Sequence, residues 1–305
     1  MSTNVIANSA LPRKENVCAV VVSYFPDADF PARLQRITPQ VGLLVVIDNN
    51  TTGTAADCLR EIERKLGIRV VRNSRNLGIA TALNQGARWA EDHRFTWMLT
   101  LDQDSLVPHD LVETLREVYE QFPEKDKLAV IGSNYEDPVA KTQFAPATRN
   151  SCCLWKLAKT VITSGSLVSL PAYGVIGEFR EELFIDGVDF EYCLRARQAG
   201  YCVILALHAL MQHPIGSATL HKLPWKTTGT RNYSPIRRYY MTRNQLILGR
   251  EFLWKEPRWT LSTLYRHLKS TILMCLFEKD VWHKMKYTAM GLVDGLFSNF
   301  NRKLT

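Results

Sequence analysis

The chain has 305 residues, of which 46% are hydrophobic and 22% charged, and its formal net charge is +8. This length and composition suffice for one large α/β domain with an appendage, and they exclude a disordered, collagen-like or low-complexity protein. No run of about 18 strongly apolar residues is present, so a membrane-spanning helix is not expected. The polar start, residues 1–16, lacks the apolar segment of a secretory signal, and the sequence predicts a soluble, cytoplasmic protein.

Cysteine usage agrees with a reducing compartment. The chain has seven cysteines, an odd number, and no two of them form a C-x-x-C pair. A disulfide framework or a zinc site is therefore not expected.

The positive charge is concentrated at one end of the chain. Residues 231–305 carry a net charge of +9, whereas the first 230 residues carry −1. A basic end on a nearly neutral body predicts an anionic partner, either nucleic acid or the anionic leaflet of a membrane. No recognised nucleic-acid-binding module is present, which favours the membrane surface.

The first part of the chain alternates short β-branched runs with helical patterns, which is typical of a largely parallel sheet covered by helices. The runs predicted as strands are residues 17–24, 43–48, 68–72, 96–101 and 128–132. Helices are predicted over residues 55–65 and 79–90. The less regular middle, residues 135–177, is predicted to mix edge strands with loops.

The last part of the chain is predicted to be helical. Helices are expected over residues 236–252, 261–277 and 281–297, and the last two are basic and amphipathic. Such helices can lie in a membrane interface, or they can pack on the rest of the protein with their basic side chains in water. Of these two outcomes, we expect peripheral contact with a membrane.

Two carboxylates follow the fourth predicted strand. Asp102 and Asp104 come directly after an apolar run, and ligands of open α/β sheets bind beyond the carboxyl ends of strands. Carboxylates two residues apart can face one cation, Mg²⁺ or Mn²⁺, which bridges them to the phosphates of a substrate. Acidic pairs are also common in surface turns, so this pair alone does not decide the function.

Polar residues also follow the second and third predicted strands. Asp48 can accept hydrogen bonds from a pyrimidine or a ribose, or it can close the strand in an Asx turn. The next strand leads through Asn76 and Gly78 into a helix, with Arg72 and Arg75 nearby. Backbone N–H groups at such a helix start suit a diphosphate, and the alternative is an ordinary helix cap.

A third acidic group stands at the start of an arginine-rich helix. Asp186, Asp189 and Glu191 lie within six residues of one another. Acids in the first turn stabilise a helix through its dipole, which accounts for one or two of them. Three suggest that one carboxylate removes a proton from an attacking hydroxyl.

Taken together, these segments resemble the family 2 glycosyltransferases, which have a GT-A fold. They resemble most closely the bacterial rhamnosyltransferases of O-antigen, polysaccharide and rhamnolipid synthesis. LDQDS, FID-x-VD-x-E-Y-C-L-R and RRYY-x-x-RN point to rhamnosyl transfer. The segments that carry the resemblance are CAVVVSYFPD (18–27), VVIDNN (45–50), NLGIATALNQG (76–86), MLTLDQDS (98–105), SGSLVS (164–169), FIDGVDFEYCLRARQAGY (184–201), HPIG (213–216) and SPIRRYYMTRNQLIL (234–248).

The resemblance implies a donor site on the first four strands. Asp48 would contact the base or ribose of the donor, and Ser23 and Tyr24 would line the same pocket. Asp102 and Asp104 match the motif that holds the metal and the diphosphate, with Asp104 the more direct metal ligand.

The resemblance also implies a catalytic carboxylate. Asp189 matches it, and Asp186 and Glu191 would be its supports or contacts to the acceptor sugar. The usual Glu-Asp pair of the family appears here as Val188-Asp189, with the extra acid displaced to Asp186. The base assignment is therefore open between Asp189 and Asp186, and we favour Asp189.

Three arginines and a histidine are further candidates. His213 follows an apolar run, where GT-A enzymes often place a metal-binding or phosphate-binding histidine, and a structural role is equally expected. Arg237, Arg238 and Arg243 would hold the diphosphate or the lipid phosphate of the acceptor, and packing is the alternative for Arg243.

The loop over residues 217–233, with Trp225 and Lys226, would close over the donor.

The resemblance implies an α/β, GT-A (Rossmann-like) fold with a mainly parallel central sheet flanked by helices. Residues 1–230 would form the catalytic domain, with a nucleotide-sugar half (about 17–130) and an acceptor half (about 131–230). Residues 231–305 would form a basic amphipathic helical region that associates with a membrane.

The function implied is an inverting transfer of L-rhamnose from dTDP-β-L-rhamnose to a hydroxyl of a saccharide or lipid-linked acceptor, with Mg²⁺ or Mn²⁺ as cofactor. The enzyme would sit peripherally on the cytoplasmic face of the inner membrane, without a nucleic-acid partner, and the sequence leaves homo-oligomerisation open. One alternative is a UDP- or GDP-hexose donor, and another is a non-catalytic sugar-nucleotide-binding protein. An NAD-dependent enzyme is disfavoured because no G-x-G-x-x-G follows the first strand.

Overall fold

The computed structural model describes residues 10–138, 142–145, 153–214, 216–223, 226–302 and 304, and only the backbone of residues 142, 223 and 226. The strands are β1 (Val17–Ser23), β2 (Leu43–Asp48), β3 (Arg69–Arg72), β4 (Trp97–Asp102), β5 (Leu128–Asp137), β6 (Thr142–Gln143), β7 (Trp155–Leu157), β8 (Ser166–Ser169), β9 (Cys202–Gln212), β10 (Thr219–Leu223) and β11 (Lys226–Thr230). The α-helices are α1 (Phe30–Ile37), α2 (Thr54–Leu66), α3 (Ile79–Asp92), α4 (Leu111–Gln121), α5 (Leu170–Ile176), α6 (Val188–Gln198), α7 (Pro235–Phe252), α8 (Pro257–Phe277) and α9 (Val281–Leu296).

Within the described ranges, nine strands form one sheet in the order β3-β2-β1-β4-β8-β5-β9-β7, with β6 paired to β5. β1 pairs in parallel with β2 and β4, β2 with β3, and β5 with β9. β8 runs antiparallel between β4 and β5. β1 to β5 and β9 therefore point the same way, and their carboxyl ends share one edge of the sheet.

The prediction of a mainly parallel central sheet flanked by helices is confirmed. All five strands predicted from the sequence form, and β5 continues beyond its predicted end to Asp137. One expectation for the middle of the chain was wrong, because β8 is a fully buried central strand rather than an edge strand. The predicted loop over 217–233 instead contains the hairpin β10–β11, and Trp225 lies outside the described residues.

The core lies on both faces of the sheet because alternate residues of a strand point to opposite sides. Val17, Ala19 and Val21 of β1 pack with α1, α2 and α4, whereas Cys18 and Val20 pack with α3 on the other face. The near-continuous apolar runs of β1 and β2 are therefore the expected pattern for strands covered on both faces.

The C-terminal helices begin near the predicted positions. α8 starts at Pro257, ahead of the predicted residue 261, because proline is favourable in the first turn of a helix. The turn between α8 and α9 is fixed by Glu278, whose buried carboxylate pairs with Arg238 of α7 and Lys284 of α9. Across the described part of the chain, no helix has both the length and the apolarity needed to cross a bilayer.

Gly86 allows α3 to approach β1 closely. A Cβ at this position would lie 2.2 Å from Cγ1 of the fully buried Val20. Gly174 of α5 offers a comparison, because a Cβ there would meet nothing within 4 Å.

We expect Gly86→Ala to lower the free energy of unfolding by about 1 to 3 kcal/mol, because the added methyl group overpacks the α3–β1 contact. Gly174→Ala should leave it unchanged or raise it by up to about 1 kcal/mol, because alanine favours the helix. Urea unfolding of both variants checks the expectation, which equal stabilities of the two would contradict.

Candidate active site

A cleft of about 520 Å³ opens at the edge of the sheet where the parallel strands end. It contains acidic residues from two stretches singled out in the sequence: Asp102 at the end of β4 and Asp104 just after it, and Asp186 just before α6 and Asp189 in its first turn. The structure thus brings two distant parts of the chain together. The other sequence-predicted residues that line the cleft are Ser23, Tyr24, Asn76, Gly78, His213 and Arg237.

His213 reaches Asp102 and Asp104 because β9 returns to the end of β4. The backbones of Leu106 and Gln212 exchange two hydrogen bonds of 2.9 Å, which brings the residue after β9 next to the loop after β4. The backbone N–H of His213 donates to the carbonyl of Glu136 at 3.1 Å. The position of His213 is therefore set by the backbone.

A chain of hydroxyl groups fixes the imidazole ring. The backbone N–H of Asp102 donates to Ser164 Oγ at 3.1 Å, Ser164 Oγ lies 2.6 Å from Ser105 Oγ, and Ser105 Oγ lies 2.8 Å from His213 Nδ1. With Nδ1 occupied by Ser105, Nε2 of His213 faces Asp102 Oδ2 at 3.7 Å. This is the arrangement in which the second ring nitrogen of a histidine orients the first toward a metal.

Asp102, Asp104 and His213 can hold one divalent cation. Their potential ligand atoms lie within 4.8 Å of one another, and Asp102 Oδ2 is 3.7 Å from Nε2 of His213, the ring nitrogen that does not contact Ser105. Ligands of such ions lie roughly 2.0–2.2 Å from the metal, so two ligands are about 3 to 4 Å apart. Asp104 Oδ1 is also buried without a hydrogen-bond partner among the described residues, which is consistent with a role as a metal ligand.

Asp189 is an unusual carboxyl group. Burial raises its pKa to about 7 from the ordinary 3.8, and the nearby charges of Asp186 and Asp102 contribute in the same direction. Burial likewise raises the pKa of Asp102. Asp186 is held differently, because Arg237 of α7 donates to both of its oxygens at 3.1 Å.

The donor side of the cleft differs from the expectation at Asp48. This carboxylate is buried and accepts hydrogen bonds from Ser23 Oγ (2.9 Å), from the backbone N–H of Thr51 (2.9 Å) and from the Thr51 hydroxyl. Both of its oxygens are occupied by its own chain, which is the Asx-turn alternative. Its neighbour Asn49, which the sequence did not single out, lines the cleft instead.

The start of α3 is also closed by its own chain. The N–H of Gly78 donates to Asn76 Oδ1 at 2.9 Å, and the N–H of Ile79 donates to the carbonyl of Phe184 at 2.7 Å. These two N–H groups are therefore satisfied within the chain, although Asn76 and Gly78 remain in the lining of the cleft. Arg75 faces an adjoining open cavity together with Tyr24 and Asn76.

Besides Asp48, three more residues expected at the site, Arg72, Glu191 and Arg243, lie outside the cleft lining. Arg72 pairs with Glu63 at 2.7 Å on the exposed side of β3. Glu191 is buried and pairs with Arg195, one turn further along α6, at 2.8 and 2.9 Å. Arg243 is buried and donates to backbone carbonyls. These placements correct a direct donor contact for Arg72 and Arg243 and an acceptor contact for Glu191.

Arg238 is likewise buried beside Glu278, so Arg237 alone of these three arginines lines the cleft. The structure adds Gln103, whose side-chain amide bonds both backbone groups of Tyr24, at 2.7 and 3.1 Å. Tyr135 and Tyr233 complete the cleft wall. Nothing in the spacing of these residues in the sequence indicates their position.

The sequence matches the model of the family described as glycosyl transferase family 2 over residues 19–171. The dTDP-rhamnosyl transferase RfbF of Shigella flexneri is 30% identical over 296 residues, which cover 92% of this chain and 95% of that protein. The chain therefore belongs to glycosyl transferase family 2, and it is a glycosyltransferase similar to a bacterial rhamnosyltransferase.

Two solved structures have the same fold. The mannosyltransferase PcManGT from Pyrobaculum calidifontis, in complex with GDP-Man and Mn²⁺, has a TM-score of 0.54 at 13% identity, over 97% of this chain and 91% of that one. GalNAc-T7 with UDP, GalNAc and Mn²⁺ also has a TM-score of 0.54, at 14% identity, over 76% of this chain. The chain spans about half of that protein, 48% of its length. These likenesses confirm the GT-A fold.

The raised pKa of Asp189 predicts a pH-dependent effect on stability. The folded protein retains a proton that the unfolded chain releases. The contribution of Asp189 to the free energy of unfolding is therefore fully present below about pH 4 and is lost as the pH rises through about 7. Without metal, we expect Asp189→Asn to become more stable than wild type between pH 5 and pH 8, by on the order of 1 to 2 kcal/mol for a half-buried group.

Asp27→Asn is the control for this experiment, because the hydrogen bond from Arg33 lowers the pKa of Asp27 and the sign is reversed. The wild type should gain stability relative to Asp27→Asn as the pH rises toward about 4, and the difference between the two proteins should be constant from pH 5 to pH 8. Urea unfolding in the presence of a chelator measures both variants. A difference between Asp189→Asn and wild type that is constant with pH would contradict the expectation.

Proposed function

We propose that the protein is an inverting glycosyltransferase that transfers L-rhamnose from dTDP-β-L-rhamnose to a hydroxyl of a saccharide or lipid-linked acceptor in cell-surface polysaccharide synthesis. The observation that carries this proposal is the convergence of Asp102, Asp104 and His213 with Asp189 in one cleft. Similarity to a dTDP-rhamnosyl transferase over nearly the whole chain supports the choice of donor.

The cation and the diphosphate would lie at the end of β4. Asp104, Asp102 and His213 would hold Mg²⁺ or Mn²⁺, which when bound would offset the charge of the departing dTDP. The Mn²⁺ in both solved neighbours supports a divalent ion and leaves Mg²⁺ as an alternative. Ser105 keeps the His213 ring in its binding orientation, and Asn49, Tyr24 and Gln103 form the adjoining wall for the nucleoside.

Asp189 would act as the general base. It takes the proton of the acceptor hydroxyl, the oxygen forms a bond to the anomeric carbon, and the bond between that carbon and the dTDP oxygen breaks. Attack from the opposite face converts the β-linked donor into an α-L-rhamnoside. A carboxylate with a pKa near 7 suits this step, because a base works best when its pKa lies close to the working pH.

Asp186 and Arg237 would support the base. The bidentate contact with Arg237 holds the Asp186 carboxylate beside the cleft and compensates its charge, so Asp186 is not free to act as the base. This arrangement favours Asp189 over Asp186 for proton removal. Rate enhancement would then come from positioning, proton transfer and stabilisation of the leaving group.

The test uses purified protein with dTDP-rhamnose, Mg²⁺ or Mn²⁺, and a membrane lipid extract as acceptor, with dTDP release as the readout. We expect Asp189→Asn and Asp104→Ala each to lose at least about 100-fold in kcat, because the first removes the proton acceptor and the second a metal ligand. Asp57→Asn, which changes an exposed acid on α2, should remain within about twofold of wild type.

The donor panel separates the alternatives. Faster turnover with a UDP- or GDP-hexose than with dTDP-rhamnose would show that the hexose nucleotide is the donor. Metal-dependent binding of dTDP without release of product from any donor would favour the non-catalytic alternative. Near wild-type rates for both active-site variants would defeat the assignment of their roles.

The C-terminal helices support a lipid-linked acceptor. α8 exposes an apolar row at helical spacing, and basic residues flank it at Arg258, Arg266 and Lys269. A helix with an apolar row and flanking cations fits an anionic membrane interface. The exposed members of the row are Leu261, Tyr265, Leu268, Ile272 and Leu276.

The inner side of α8 faces a cavity that adjoins the cleft. This second cavity, of about 440 Å³, shares Asp186, Phe190 and Tyr233 with the cleft and is closed by Thr263 and Ser270 of α8. We therefore place the acceptor sugar in this cavity, next to Asp189, with its lipid leaving toward the surface that α8 would present to the membrane.

We expect the wild-type protein to bind vesicles that contain 30% phosphatidylglycerol more strongly than pure phosphatidylcholine vesicles. Leu268→Glu/Ile272→Glu should weaken the binding about tenfold or more, because it removes apolar contact and adds negative charge. Leu157→Glu, on the exposed strand β7, is the matched control and should bind as wild type does. Cosedimentation measures all three proteins, and equal binding by the two variants would count against the membrane surface.

A further inference from the structure

The turn that precedes α6 is strained. Phe184 has φ 64° and ψ −64°, and the N–H of Ile185 donates to the carbonyl of Leu183 at 2.7 Å. This is the rare form of γ-turn with positive φ, which few residues other than glycine adopt. Asp186 (φ 63°) and Gly187 (φ 83°) also lie in the left-handed region. The chain therefore reaches Asp189 through a segment that would relax if nothing held it.

One buried side chain holds this turn. Asn244 of α7 is 2% exposed, and its Nδ2 donates to the carbonyls of Leu183 (2.9 Å), Ile185 (2.9 Å) and Asp186 (2.7 Å). An amide nitrogen has only two hydrogens, so the three acceptors share them. The three carbonyls point to one place because the backbone between them is turned inward.

Arg243 sets the orientation of that amide. Its Nε donates to Asn244 Oδ1 at 2.9 Å, and a guanidinium can only donate. The oxygen of Asn244 must therefore face Arg243, and the nitrogen must face the turn. Arg243 Nη2 also donates to the carbonyls of Glu182 (2.6 Å) and Leu183 (3.2 Å), which extends the same contact by one residue.

The other side of the turn contacts the start of α3, on the donor side of the cleft. The carbonyl of Phe184 accepts from the N–H of Ile79, the first residue of α3, and a Cβ at Gly78 would lie 2.6 Å from that carbonyl. The Phe184 ring stacks on Tyr240 of α7 with ring centroids 4.8 Å apart. The turn is thus fixed between α3 and α7 and cannot shift without breaking one set of contacts.

We propose that Arg243 and Asn244 are positioning residues for glycosyl transfer: as a clamp on residues 182–186, they set the distance between Asp189 and the group formed by Asp102, Asp104 and His213. The inference rests on the proposed function, because it takes Asp189 as the base. Both side chains bond to backbone carbonyls of the turn. Arg243 lines neither cavity, whereas Asn244 borders the cavity proposed for the acceptor, so Arg243→Lys is the variant whose effect cannot come from a lost acceptor contact. A displacement of the reacting groups of about 1 Å is enough to lower a rate about 100-fold.

Asn244→Asp is the sharpest variant, because it keeps the size of the side chain and replaces the donor with a second acceptor that faces three carbonyls. Arg243→Lys is the milder one, since it keeps the charge but loses the fork that orients the amide. Ile247→Ala is the control for lost stability: Ile247 is buried on the same helix and lines neither cavity described above.

The readouts are kcat with dTDP-rhamnose and membrane lipid extract, dTDP affinity by calorimetry, and backbone hydrogen exchange of residues 183–190. For Asn244→Asp we expect kcat to fall 10- to 100-fold, dTDP affinity to stay within about threefold, and exchange across the turn to rise at least tenfold. Arg243→Lys should show the same pattern with smaller changes. Ile247→Ala, compared at equal folded fraction, should retain wild-type kcat and exchange at the turn.

Two outcomes would overturn the inference: kcat values for both clamp variants equal to that of Ile247→Ala, or dTDP affinity that falls in parallel with kcat. If Asn244→Asp does not fold, the same comparison is made with Arg243→Lys. Asp189→Asn is assayed alongside. Full activity in that variant would refute the proposed base, whereas an inactive Asp189→Asn beside fully active clamp variants would refute the clamp alone.

Discussion

Four carboxylates share one partly desolvated cleft, and much of the surrounding structure serves to hold them there. Burial disfavours the charged forms of Asp102 and Asp189, and repulsion by the neighbouring carboxylates adds to this cost, which is why the pKa values of both groups are raised. Arg237 compensates Asp186 directly. Asp102 and Asp104 lie beside His213, and the excess of carboxylates in the cleft favours cations. A cluster of this kind persists only where rigid elements over-determine its geometry.

The sequence was sufficient to predict the part of the site that depends on parallel strands. Asp102 and Asp104 follow an apolar run, and the carboxyl ends of parallel strands meet at one edge whatever the order of the strands. The convergence of Asp186 and Asp189 on that edge required the family resemblance, because it depends on a turn and a helix whose docking no local pattern encodes. The contacts of Asp48 were not predicted for a related reason: its partner Ser23 reaches it only once β1 and β2 are paired.

Two other differences have local physical causes. β8 reads SLVS, too short and too polar to indicate a central strand, yet its serines are satisfied within the chain. Ser166 Oγ donates to the carbonyl of Ile162, and Ser169 Oγ caps α5 by accepting from the N–H of Ala172. The arginines of α7 illustrate the second case. Residues 237 and 238 differ by about 100° around a helix, so they face different surroundings, but periodicity does not say which one faces the cleft.

The burial of cations also changes how the basic C-terminal region should be understood. Arg238, Arg243 and Lys284 are buried in internal contacts, and Arg237 is engaged by Asp186, so the +9 of this region overstates the charge available to a membrane. The apolar row of α8 must then supply a large part of any attraction to lipid, with the exposed cations adding to it. α7 packs against both α8 and α9, and it also carries Asn244, which fixes the turn before Asp189. The helix that would approach the lipid and the turn before the base are therefore both attached to α7. The positions of a membrane-bound acceptor and of the base would therefore both depend on α7, which limits how far the two can move relative to each other.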